Sequence, residues 1–159
     1  MRKFKKRVYD PRVFVRDMAY FAKNLNSIRL LVAGRSLSPE FRERLCLVVT
    51  AVNQCRYCAS AHQKIAVHEG ISREEVRELL AGAVDHCPEE EAHALLYAQH
   101  WAETNGHPRP EVHEELVDDY GHETVETIEL VLRMIRTGNL SGNSLDFLLH
   151  RLSAGRMGA

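Results

Sequence analysis

Apolar residues recur at helical spacing along most of the chain, and the alternating pattern of half-buried strands is nearly absent. The clearest segment opens at Ser38-Pro39, a pair that starts helices because serine accepts orphan amide hydrogens and proline fits the first turn. Its periodicity runs to about Val52, with Phe41, Leu45, Val48, Val49 and Val52 on one face. The other side carries Glu43, Cys46, Leu47 and Thr50 and is itself half apolar, so this helix is expected to be enclosed on most sides. After a break at Asn53 and Gln54, a second helix is expected from Cys55 or Arg56 to about Glu69, closed by Gly70. Ser72 and Glu75 form a capping box that opens a helix to about Ala81. Pro88 starts another, to Glu103, and Gly106, Pro108 and Pro110 make a loop. Helices over 110–120, 123–136 and 144–152 complete the series. Met18, Tyr20, Phe21, Leu25, Ile28 and Leu31 read as core or subunit interface. The pattern is that of an all-α, compact bundle of about seven or eight helices.

A chain of 159 residues has the length of a single domain. Its 45% hydrophobic and 27% charged residues are those of an ordinary globular protein. The net charge of -1 gives no global field to recruit nucleic acid or anionic lipid. The longest apolar stretch, Leu45 to Val52, is far short of the roughly 20 residues of a membrane span. Residues 1–10 form a basic arm (Arg2, Lys3, Lys5, Lys6, Arg7) followed by Tyr9, Asp10 and Pro11 rather than by the apolar core of a secretion signal. Such an arm reads as a solvated tail or an oligomer contact, and the location as cytoplasmic.

Four cysteines are few for a disulfide scaffold, and Cys55 and Cys58 form a Cys-x-x-Cys pair. With Cys55 in or at the first turn of its helix, Cys58 follows three residues on and His62 four more, all on one face. The positive end of the helix dipole favours thiolate. Lowering a thiol pKa from about 8.5 to about 6.5 raises the thiolate fraction at neutral pH roughly 25-fold. Intrinsic nucleophilicity falls roughly 8-fold over the same range, leaving about threefold. An efficient thiol catalyst must therefore also protonate the departing group, and His62 is the candidate acid and base. A helical hairpin would bring Glu43, twelve positions before Cys55, back toward His62 to orient it or relay its proton.

Glu43, Cys55-Arg56-Tyr57-Cys58 and His62, at these spacings and after an apolar helix, resemble the signature of the alkylhydroperoxidase D and carboxymuconolactone decarboxylase superfamily. The resemblance covers about 38–81 and, more weakly, the stretch 135–149 with its Gly-Asn-Leu and Gly-Asn-Ser. It implies an alkylhydroperoxidase D-like helical domain over 1–159, assembled as a homo-oligomer and acting as an antioxidant oxidoreductase on a hydroperoxide. By that resemblance Cys58 is the peroxidatic thiolate, Cys55 closes the redox-active disulfide, and His62 and Glu43 form the proton relay. A lipoylated or thioredoxin-like dithiol protein would be the electron donor, and no cofactor and no metal are implied. The decarboxylase branch lacks the cysteine pair and fits poorly. The founding peroxidase has a histidine immediately before its second cysteine, where this chain has Tyr57, a poor proton shuttle at neutral pH.

Three other readings follow from the residues. Dithiol-disulfide exchange would use the same pair. A zinc-stabilised interaction module would complete a Cys55 and Cys58 site from His62, His68, His86 and Cys87. A helix-turn-helix around Gly70 and Ser72 is disfavoured, because Glu74, Glu75 and Glu78 would repel DNA. Cys46 and Cys87 read as buried structural thiols. The heptad-spaced His86, His93, His100 and His107 read as unrelated surface residues, since metal-binding helical histidines sit three or four apart.

Overall fold

The structure, a computed structural model, describes residues 4–157. Among them are eight helices and no strand: α1 (Pro11–Lys23), α2 (Leu25–Val32), α3 (Pro39–Asn53), α4 (Arg56–His68), α5 (Arg73–Leu80), α6 (Glu89–Glu103), α7 (Pro110–Tyr120) and α8 (His122–Leu152). None is long and apolar enough to cross a membrane.

The mostly apolar helix is the centre of the bundle. α3 packs against α4, α5, α6 and α8, and Phe41, Glu43, Leu45, Cys46, Leu47, Val48, Val49, Thr50 and Asn53 are all buried. It begins as expected, with Ser38 Oγ accepting from the Phe41 amide at 3.1 Å. It ends at Gln54, whose left-handed backbone (φ 56°) turns the chain sharply so that Cys55 is already the cap of α4. Glu43 lies eleven residues before this turn and His62 eight after. At 1.5 Å per residue that is about 16 and 12 Å along antiparallel neighbours, so the two side chains meet nearly level. At α5 half of the capping box forms: Ser72 Oγ accepts from the Glu75 amide at 3.1 Å. The Glu75 carboxylate turns instead to Arg44 at 2.6 Å, and Arg44 also reaches Glu91 at 3.1 Å, tying α3 to α5 and α6.

The two ends of the chain correct the sequence reading. Asp10-Pro11 repeats the Ser38-Pro39 device: Asp10 Oδ1 accepts from the amides of Arg12 at 2.8 Å and Val13 at 3.3 Å. Two helices therefore precede α3. Conversely, the two helices expected over 123–136 and 144–152 are one continuous α8, because Gly138 and Gly142 sit in helical backbone instead of breaking it. A helical glycine costs about 1 kcal/mol relative to alanine, and packing around α8 offsets that.

The basic arm is not a solvated tail over its described part. Lys6 pairs with the buried Asp146 at 3.0 Å. Arg7 donates to the Ala102 and Glu103 carbonyls at 2.5 and 2.8 Å, capping the end of α6. The Tyr9 amide donates to Ser144 Oγ at 2.9 Å. Arg2 and Lys3 lie outside the described residues.

α1 is locked to α8 by Asp17, which is fully buried. It accepts from Arg136 at 2.8 and 2.9 Å, from Arg133 at 3.2 Å and from the Tyr9 hydroxyl at 2.7 Å. Burial alone would raise the Asp17 pKa, but the Tyr9 hydroxyl and the Arg136 guanidinium outweigh it and hold the carboxyl below its usual range. Burial, and then the Asp17 contact, push Tyr9 up to about 12.

Candidate active site

Cys55 stands at the N-cap of α4, where its Sγ accepts from the Cys58 amide at 3.3 Å. Cys55 and Cys58 are paired as a disulfide, with Cα atoms 5.3 Å apart. Cys55 is buried and Cys58 partly exposed, and of the two it is Cys58 that lines a cavity. α8 lies directly over the pair: a Cβ on Gly142 would stand 2.8 Å from Cys55 Sγ and 3.4 Å from Tyr57 Cδ2. Van der Waals contact begins near 3.5 Å, and Gly142 therefore sets how closely α8 can approach.

One turn beyond Cys58, His62 Nδ1 is 2.7 Å from Glu43 Oε2. Glu43 is 3% exposed, and its other oxygen accepts from Arg42 Nε at 3.3 Å. Cys58, His62 and Glu43 all open onto one cavity of about 440 Å³, whose remaining wall includes Leu31, Met134 and Ile135. Once the disulfide is reduced, a thiol, an imidazole and a neighbouring carboxylate at one apolar cavity can accept, hold and return a proton there.

Cys46 lines the same cavity. The sequence reading is right that it is buried, but its thiol belongs to the surroundings of Glu43 and His62, all three offering polar atoms within 4.8 Å of one another. The signal was present in the sequence, since residues three apart on a helix share a face. Burial, and then the charge of Glu43, push the Cys46 thiol well above its ordinary range. Cys87 is half-buried, and burial followed by the charge of Glu75 pushes it up to about 11.

Arg56 and Tyr57, the two residues inside the pair, are held from outside the cavity. Asp146 on α8, fully buried, accepts from Arg56 Nη2 at 2.7 Å, from the Tyr57 hydroxyl at 2.8 Å and from Lys6 Nζ at 3.0 Å. Burial would raise the Asp146 pKa, but Lys6, then Tyr57, then Arg56 hold it low. Tyr57 does not line the cavity; its hydroxyl anchors the motif to α8. The same helix holds the end of α3: Asn139 Nδ2 donates to Thr50 Oγ1 at 3.1 Å and Asn143 Nδ2 to the Asn53 carbonyl at 2.7 Å. The sequence reading missed Asp146, Asn139, Asn143 and Gly142 as supports of the site.

The residues named for a zinc module do not assemble. His68 is exposed beside Glu69, His86 pairs with Glu78 at 2.9 Å, and neither lines the cavity. The heptad-spaced histidines likewise go to separate partners, His93 to Asp119 and His100 to the Arg109 amide.

The model of the carboxymuconolactone decarboxylase family matches residues 19–100. The chain belongs to that family. The matched residues run from within α1 to within α6 and include Glu43, Cys46, the cysteine pair and His62. The supports on α8 lie beyond them. No curated protein and no solved structure matches the chain. The family includes enzymes of more than one chemistry, decarboxylase and peroxidase-like.

Proposed function

We propose that this carboxymuconolactone decarboxylase family member is a thiol peroxidase that reduces hydroperoxides through a Cys58 and Cys55 cycle. The observation that carries the reading is the shared cavity: Cys58, His62 and Glu43 line it together, with the His62 to Glu43 contact at 2.7 Å and Cys55 paired to Cys58 behind it. In the reduced protein the Cys58 thiolate attacks the outer peroxide oxygen. The O–O bond breaks, His62 gives a proton to the leaving oxygen, and alcohol and Cys58 sulfenic acid result. Glu43 orients the imidazole and stabilises its charged form. The Cys55 thiol then attacks the Cys58 sulfur, forming the disulfide and releasing water. An external dithiol, a lipoylated or thioredoxin-like protein, returns both thiols and is itself oxidised to a disulfide. We place this activity in the cytoplasm, in a homo-oligomer.

Stopped-flow mixing of the reduced protein with cumene hydroperoxide, followed by intact mass and peptide mapping, tests the reading. Consumption well above the free-thiol rate is expected, ending in the Cys55 to Cys58 disulfide. Cys55→Ser is expected to trap a sulfenic acid on Cys58, and Cys58→Ser to abolish consumption. Reaction no faster than a free thiol would overturn peroxidase function, and a sulfenic acid on Cys55 would reverse the assigned polarity.

A further inference from the structure

Cys46 takes no part in the thiol cycle, yet it stands beside both groups of the relay. Glu43 and Cys46 present their side chains from one face of α3, and His62 reaches them from α4. A carboxylate oxygen, the thiol sulfur and an imidazole nitrogen lie within 4.8 Å of one another, Glu43 and Cys46 buried and His62 half-buried. Among the described residues this is the one group of three metal-ligating side chains so close together.

We infer that Glu43, Cys46 and His62 form a binding site for a zinc ion. Mixed sulfur, nitrogen and oxygen donors suit zinc, whose bonds of about 2.3 Å to sulfur and about 2.0 Å to nitrogen and oxygen put tetrahedral ligand atoms about 3.3 to 3.6 Å apart. Side-chain adjustments of about 1 Å reach that geometry from the spacing seen here. The His62 to Glu43 contact, at 2.7 Å, opens by about 0.6 Å as the ion takes the place of the hydrogen bond between them. Binding displaces the Cys46 thiol proton, and His62 binds as the neutral imidazole with its remaining N–H on the ring nitrogen away from the ion. A thiolate and a carboxylate then cancel the two charges of the ion, which a buried location requires. Arg42, at 3.3 Å from the second Glu43 oxygen, opposes a cation, but its partly exposed side chain has solvent to move into. The cavity leaves a fourth position open to water, the arrangement of three-ligand zinc sites.

Two consequences separate this site from an ordinary zinc-holding cysteine pair. It does not use Cys55 or Cys58, so it binds while they are joined. It also occupies both groups of the proposed relay, so zinc and proton transfer exclude each other and zinc inhibits any chemistry that needs His62. The binding itself is independent of the peroxidase reading and is measured without peroxide.

The experiment titrates the chelator-treated, disulfide-containing full chain with zinc chloride by calorimetry and with cobalt chloride by absorbance. One ion per chain is expected, with a thiolate-to-cobalt charge-transfer band in the near ultraviolet. Cys46→Ala should remove the band and weaken zinc binding at least about 100-fold, the upper end of the cost of an outer-shell partner. His62→Ala, a substitution at a partly exposed position, should weaken it comparably while circular dichroism reports an unchanged fold. The Cys55→Ser/Cys58→Ser variant should keep both ion and band. Absence of binding by the disulfide form overturns the inference. So does binding that survives Cys46→Ala, or binding that is lost with the Cys55 and Cys58 thiols.

Discussion

Gly138 and Gly142 are four residues apart in the interior of α8, and neither is in the left-handed region. Replacing either by alanine removes backbone entropy from the unfolded chain and should stabilise a helix by roughly 0.5–1 kcal/mol. The surroundings separate them. At Gly138 a Cβ meets nothing within 4 Å, whereas at Gly142 it stands 2.8 Å from Cys55 Sγ. That sulfur cannot swing aside, because it caps α4 and is joined to Cys58. Overpacking of this kind costs about 1–3 kcal/mol, which exceeds the intrinsic gain. Gly138→Ala should therefore raise the melting temperature by about 1–4 °C, and Gly142→Ala, at a net cost of up to about 2.5 kcal/mol, should lower it by up to about 10 °C, at 2–4 °C per kcal/mol for a chain of this length. Thermal unfolding followed by circular dichroism at neutral pH, on the disulfide form, measures both. Equal stabilisation by the two substitutions would refute the view that close approach to Cys55 holds position 142 to glycine.

Other perturbations follow from the buried charges and the relay. Asp17→Asn leaves Arg136, 2% exposed, without its carboxylate, and should cost about 3–5 kcal/mol in urea unfolding; a loss under 1 kcal/mol would mean that Arg136 finds water. Asp17 and Asp146 both have carboxyls held below the ordinary range. Their contribution is present above the unfolded-state pKa near 4 and is lost as pH falls through the lower folded values, so unfolding free energy should decline from about pH 5 downward. In Asp146→Asn that acid-side slope should be shallower, and an unchanged slope would count against the assignment. Glu43→Gln should slow peroxide consumption about 10²- to 10⁴-fold while the disulfide still forms; an unchanged rate would remove Glu43 from the relay.

The central part of the fold was readable because its punctuation is local. Ser38-Pro39, Gly70, Ser72 and Pro110 act on the next turn of chain, and each helix they bound begins or ends within two residues of expectation. Glu43 and His62 were readable together because a hairpin between two helices fixes their relative height. α1 is not expected from the sequence although Asp10-Pro11 carries the same signal, since the basic run before it has the composition of a solvated tail. The continuity of α8 between 136 and 144 is not legible, because Gly138 and Gly142 lower helix propensity there and the close approach of Cys55 Sγ to Gly142 is visible only in the structure. Asp146 and the two asparagines carry no sequence pattern for their task, since their partners are roughly 90 residues away.

The spacing along α8 explains why those supports act as a unit. Gly138, Gly142 and Asp146 follow one another at four-residue intervals, as do Asn139 and Asn143, so two adjacent stripes run along one side of the helix. The glycine stripe touches the cavity at Gly138, admits the cysteine pair at Gly142 and grips Arg56 and Tyr57 at Asp146. The asparagine stripe holds Thr50 and Asn53 at the end of α3. Both halves of the α3 to α4 hairpin are thereby fixed to a single rigid helix. The distance between Glu43 on one half and Cys58 and His62 on the other then depends on α8 as much as on the turn at Gln54. A break in α8 between 136 and 144 would uncouple them. The continuous helix keeps the cavity and the cysteine pair in one frame, and Lys6 and Asp17 extend that frame to the start of the chain.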